Sequence, residues 1–108
     1  MSAVKKKSET CEEQLRRMCK DIAEEISDEN NTMKQLEAFM EGVYNIEWIT
    51  HQDKTYKAAR LLVAGGGPNI WVNLQTNTVD GYWGCDKVSH GFMDNIGLDD
   101  YLEEMYGY

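Results

Sequence analysis

No run of about 18 apolar residues occurs in the sequence, so no segment of it is expected to span a membrane. Proline occurs once, at Pro68, which argues against a linker-like or polyproline-rich chain. The start, Met1-Ser2-Ala3-Val4-Lys5-Lys6-Lys7, is basic like the front of a signal peptide. No apolar stretch follows it, so export by that route is not expected. Cysteine is scarce and odd in number. Cys11, Cys19 and Cys85 lack framework spacing and read as reduced thiols, which predicts a cytoplasmic protein. Basic residues are also few, 11 Lys and Arg against 19 Asp and Glu, for a net charge of −8.

Apolar residues make up 42% of the 108 positions, enough for a core in one domain. The charge is unevenly spread. Residues 1–20 carry six basic and three acidic groups, whereas residues 21–108 carry five basic and sixteen acidic. From residue 80 onward, seven acids face one base, Lys87. Nucleic acid and anionic membranes repel such a chain, so a charged macromolecular partner is expected to be a basic protein surface. Solubility is the plainer use of the same charge.

Residues 1–8 read as a flexible basic lead-in and residues 9–108 as a single α+β domain. Thr10 and Glu13 fit a capping box. Leu15, Met18, Cys19, Ile22 and Ile26 then form one apolar stripe at helical spacing. Polar residues 27–31 break that helix. Asn31 or Thr32 is placed to cap a second, with Gln35 at the capping-box position of Thr32. Met33, Leu36, Phe39, Met40 and Val43 form its stripe, and Gly42 near its end suits a left-handed residue.

The period then changes to two. Strands are predicted from Tyr44 to His51, Thr55 to Ala64, Asn69 to Leu74 and Thr78 to Gly84. Val79, Gly81 and Trp83 share one face of the last, Asp80 and Tyr82 the other. Residues 85–97 read as a loop, with room for a helical turn around Phe92 and Met93, and Leu98, Tyr101, Leu102 and Met105 as a short C-terminal helix whose first turn holds Asp99 and Asp100. The expected order is ααββββα, a four-stranded antiparallel meander with helices on one face.

Chemistry-bearing patterns are weak. Gly65-Gly66-Gly67-Pro68 lies between two strands without a following helix or a Lys-Ser/Thr pair, so a tight turn or bulge is expected rather than a phosphate loop. Cys85, Asp86, His90 and His51 lack zinc spacing, so no metal is expected. Nothing beside Cys85 and His90 activates a thiol. Adjacent acids such as Asp99-Asp100 and Glu103-Glu104 point about 100° apart on a helix, which does not make an acid/base pair. Trp71, Tyr82, Trp83 and Tyr56 would need flanking Lys or Arg to stack nucleobases. Core packing accounts for most of them, with one exposed ring left as a protein-binding anchor.

Gly66-Gly67-Pro68-Asn69-Ile70-Trp71-Val72-Asn73, then Thr76, Val79 and Gly81-Tyr82-Trp83-Gly84, with an acidic helix beyond, resembles a pattern in small proteins of phages and mobile elements of Gram-positive bacteria, chiefly gut species. The resemblance covers roughly residues 56–106, about half the chain. That group has no assigned activity and transfers no catalytic residue. In size, charge and absence of catalytic motifs the chain is also similar, as a class, to acidic inhibitors of host defence nucleases, anti-CRISPR proteins among them. The resemblance implies a non-enzymatic binding protein, without cofactor, in the cytoplasm of a bacterial host. Its partner would be a protein with a basic surface, such as a nuclease that handles nucleic acid. Asp80, Asp86, Asp99, Asp100, Glu103 and Glu104 would supply charge, and Tyr82 an anchor. Two other readings stand beside it. One is a small-ligand or enzymatic domain using Gly65–Gly67 with Trp71 and Tyr82. The other is a module that self-associates through its first helix.

Overall fold

A computed structural model describes residues 10–28 and 33–107 of the chain. The lead-in at residues 1–8, the capping positions Asn31 and Thr32, and the side chain of Met33 lie outside the described residues. Helix α1 (Cys11–Ile26) starts at the capping box. The Thr10 hydroxyl accepts from the Glu13 backbone N–H at 3.1 Å, and the Glu13 carboxylate accepts from the Thr10 N–H at 2.9 Å. Leu15, Cys19, Ala23 and Ile26 are buried, with Met18 and Ile22 packed beside them. The opposite face is charged, with exposed Arg16–Glu12 and Lys20–Glu24 pairs at 2.9 and 4.0 Å. At that exposure each is worth about 0.3–0.5 kcal/mol.

Helix α2 (Met33–Glu41) buries Leu36 and Phe39. Gly42 does not take the left-handed conformation expected of it. Instead the N–H groups of Gly42 and Val43 donate to Phe39 and Met40 carbonyls at 3.1 Å, and this three-residue spacing tightens the last turn without a positive φ.

Among the described residues the sheet has five strands, not four: β1 (Asn45–Thr50), β2 (Tyr56–Ala64), β3 (Asn69–Asn73), β4 (Thr78–Trp83) and β5 (Asp86–Gly91). They form an antiparallel meander in sequence order. Strand β5 falls in the stretch expected to be a loop, and no helical turn forms at Phe92 and Met93. Val88 is its one large apolar residue, so no alternation marks it. Among the described residues it is an edge strand, paired only to β4, and polar residues on such a strand discourage pairing with another chain.

Cross-strand pairs sort the two faces. Ile46, Leu61, Val72 and Val79 align across β1 to β4, and Ile70, Gly81 and Val88 form the next row. Both rows face the helices. Helix α1 lies over β4 and β5, and α3 (Leu98–Tyr106) lies over β2. Gly81 permits the close approach of α1. A Cβ there would meet Cys19 Sγ at 2.6 Å and Leu15 Cδ1 at 2.8 Å. Among the described residues no helix covers the other face of the sheet. Its central row is Asn45, Leu62, Trp71, Asp80 and Ser89.

The segment after β5 fastens α1 at its C-terminal end. Met93 N–H donates to Ser27 Oγ at 3.0 Å, Asn95 N–H to the Ile26 carbonyl at 3.2 Å, and Asn95 Nδ2 to the Ser27 carbonyl at 2.7 Å. The two bonds from Asn95 satisfy carbonyls that the end of a helix leaves without intrahelical partners. No helix among the described residues is long and apolar enough to cross a membrane.

Candidate protein-binding surface

Helix α3 is short and acidic, and its position is set by side chains at both ends. Gly97, at φ +80°, turns the chain into it and offers no capping side chain. Asp94 takes over that role, its two carboxylate oxygens accepting from the backbone N–H groups of Leu98 at 2.8 Å and Asp99 at 2.9 Å. Leu98 and Leu102 are fully buried beneath the helix. Asp99 accepts a 2.7 Å hydrogen bond from the Tyr56 hydroxyl of β2. At the far end Tyr106 packs with Trp48 and Tyr56, ring centres 5.2 and 6.0 Å away, and donates to the Lys54 carbonyl at 2.7 Å.

Burial chiefly, then the bond to Asp99 and the nearby charges of Asp99, Glu103 and Asp94, push the Tyr56 phenol well above its usual range. Tyr56 therefore donates to Asp99 as the neutral phenol at physiological pH.

The acids of the C-terminal third thus divide by role. Asp94 and Asp99 are engaged in holding α3. Asp100, Glu103 and Glu104 are exposed on it, beside Met105 at 37% exposure. Glu103 and Glu104 sit toward the negative end of the helix dipole, and the helix contains no basic residue. Their placement does not serve the helix's own stability.

The remaining predicted residues lie elsewhere. Asp80 is on the open face of the sheet, opposite the face that α3 covers, and accepts from Ser89 Oγ at 2.7 Å. Tyr82 shares that open face, half-buried, with the Lys87 ammonium 5.9 Å from its ring centre. Asp86 begins β5 opposite Trp83. The structure therefore brings together Asp99, Asp100, Glu103 and Glu104 but not Asp80, Tyr82 or Asp86.

The aromatic set is split as well. Trp71 and Tyr82 lie on the open face, whereas Tyr56 and Trp83 lie under the helices. Over Trp71 sits the Arg60 guanidinium, 4.3 Å from the ring centre and paired with Glu47 at 2.7 Å. A base stacking on that ring face would have to displace it.

Gly65, Gly66, Gly67 and Pro68 form the turn from β2 to β3, with Gly66 at φ +95° and a register shift between Leu62 and Ala64. Cys85 is exposed in the two-residue β4–β5 turn, where Gly84 supplies the positive φ. The His90 ring lies 3.0 Å from the Gly91 carbonyl, and His51 follows the opposite edge strand. Among the described residues no group of three or more His, Cys, Asp or Glu is placed to hold a metal. Cys19 is inert in a different way: burial first, then the Asp80 charge, push its thiol up to about 11.

Open cavities border α2, and among the described residues the three that follow have no lining residue from the glycine turn. One of about 350 Å³ adjoins Met40, Tyr44 and Ile46, and one of about 220 Å³ adjoins Ile22, Phe39 and Val63. The third, about 280 Å³, runs between α2 and α3. It is lined by Leu36, Ile96, Gly97, Asp100, Tyr101 and Glu104.

Sequence reading did not single out Asp94 as a cap or Leu36, Ile96 and Tyr101 as a cleft. Asp94 left a faint signal, a carboxylate four residues before the first buried leucine of α3. The cleft left none, because Leu36 and Ile96 are sixty positions apart and meet only in the folded chain. Comparison with family models, with curated proteins and with solved structures finds no match to this chain.

Proposed function

We propose that the chain is a non-catalytic binding module that lays the exposed acidic side of α3 against a basic protein surface. One observation carries this reading. Asp100, Glu103 and Glu104 stand exposed on a base-free helix whose orientation is set by Asp94, by the Tyr56–Asp99 bond and by Tyr106. Carboxylates on a positioned helix lose little freedom on binding, and complementary charge speeds encounter and sets register.

Basic protein surfaces of this kind are common where nucleic acid is bound. The partner class proposed is therefore a nuclease that handles nucleic acid, with the chain occupying its basic groove as an inhibitor. The class similarity to acidic inhibitors from mobile elements supports the same reading. Self-association through α1 has less support, because Leu15, Cys19, Ala23 and Ile26 pack against the sheet and leave a charged outer face.

The test begins with affinity capture of the partner from the bacterial host and continues with the purified pair. Binding should weaken across a rising salt series and be competed away by single-stranded or duplex nucleic acid. D100N/E103Q/E104Q should lower affinity roughly tenfold or more. Binding that ignores salt and is unchanged by the triple substitution would sink it.

A further inference from the structure

We infer that the cleft between α2 and α3 receives a single arginine side chain of the basic partner, an inference that rests on the binding reading above. The cleft combines two kinds of wall. Leu36, Ile96 and the aromatic residue Tyr101 bring apolar surface, while Asp100 and Glu104 bring carboxylates. Asp100 and Glu104 are four residues apart on α3 and so lie on one side of it, roughly 5–6 Å apart at their Cβ atoms. Both are exposed, and neither forms an ion pair among the described residues. Gly97 contributes a wall without a side chain, at the φ of +80° that starts the helix.

This pairing matches the two ends of one residue. An arginine lays its aliphatic stem along apolar surface and keeps its head at the polar edge. Its planar fork of donors can reach two carboxylates at once, and its flat face can rest on an aromatic ring. A lysine ammonium is a compact, strongly hydrated charge and gains less from either feature.

Size points the same way. The cleft's 280 Å³ is below the usual range of small-molecule sites, roughly 300–1,000 Å³. Charge separates it from its neighbours. Among its described lining residues the cavity beside Tyr44 has no carboxylate, and the one beside Phe39 has Glu25, which is already engaged in another interaction.

The experiment uses the full chain, isotope-labelled, and a short lysine-rich peptide with one central arginine. Two companion peptides replace that arginine by citrulline or by lysine. Backbone amide shifts are followed at low salt in the parent, in E104Q and in E103Q. The two variants remove the same charge from adjacent positions of the same helix, but only Glu104 lines the cleft. The arginine peptide is expected to move Ile96, Gly97 and Tyr101, and to bind better than either companion. E104Q is expected to weaken it about threefold to fivefold, and E103Q by clearly less.

Shifts spread along the exposed side of α3 with Ile96 and Gly97 unmoved would overturn the cleft assignment. So would equal losses in the two variants, or equal binding of the lysine peptide. Each of those results leaves the acidic face itself intact as a binding surface. No shift anywhere with any peptide at low salt would remove both proposals.

Discussion

The Tyr56 hydroxyl donates to Asp99, 43 residues further along the chain, across 2.7 Å. That bond joins β2 to α3 and makes a carboxylate that looks like surface charge into part of the framework. Asp99 is thereby oriented, and α3 presents its other acids from a set position.

Removing the donor should expose this role. Y56F is expected to lower stability by about 1–2 kcal/mol, since the half-buried carboxylate loses a partner. The pH dependence adds a sign. Tyr56 has its pKa raised above the ordinary 10.0, chiefly by burial and then by Asp99. Its contribution is therefore complete below about pH 10 and is lost as pH rises further. Cys19, raised from 9.0 to about 11, contributes in the same direction. The comparison is thus between the two proteins: urea midpoints measured up to alkaline pH should fall less steeply in Y56F than in the parent.

Gly81 should tolerate no side chain. A methyl group would sit 2.6 Å from Cys19 Sγ and 2.8 Å from Leu15 Cδ1, both on a helix pinned to the sheet. G81A is expected to cost about 1–3 kcal/mol by overpacking. Combining it with C19A removes one of the two clashes, so the double variant should be more stable than the sum of the singles predicts. Strict additivity in denaturant unfolding would count against this packing account.

Asp94 is expected to behave as the cap of α3. D94A should cost about 1–2 kcal/mol, whereas D94N, which keeps an acceptor oxygen, should cost less. Hydrogen exchange offers the local readout. The amides of Leu98 and Asp99, which donate to Asp94, should lose protection in D94A while those of α1 keep theirs.

Thiol chemistry should separate the three cysteines. Cys11 and Cys85 are exposed and Cys19 is buried. A disulfide reagent at about pH 8 is expected to titrate two thiols in the native protein and the third only on unfolding. Rapid reaction of all three would show that α1 lifts readily from the sheet.

What the sequence determined by itself was local. The Thr10–Glu13 reciprocity sets where α1 begins, because both groups lie within one turn. Alternation in residues 44–84 marks four strands and assigns Val79 and Gly81 against Asp80 and Tyr82, because the side-chain period of a strand is two. Tertiary structure decided what depends on distant partners. Strand β5 exists because β4 offers its free edge and α1 covers Val88, with no periodic signal of its own. The acids that look alike in sequence are sorted the same way. Asp80 goes to the open face, Asp94 to a helix end, Asp99 to Tyr56, and Asp100 and Glu104 to a cleft whose other wall is Leu36. A carboxylate's type and spacing say nothing of which donor reaches it, because that donor arrives from another part of the chain only after the core has closed.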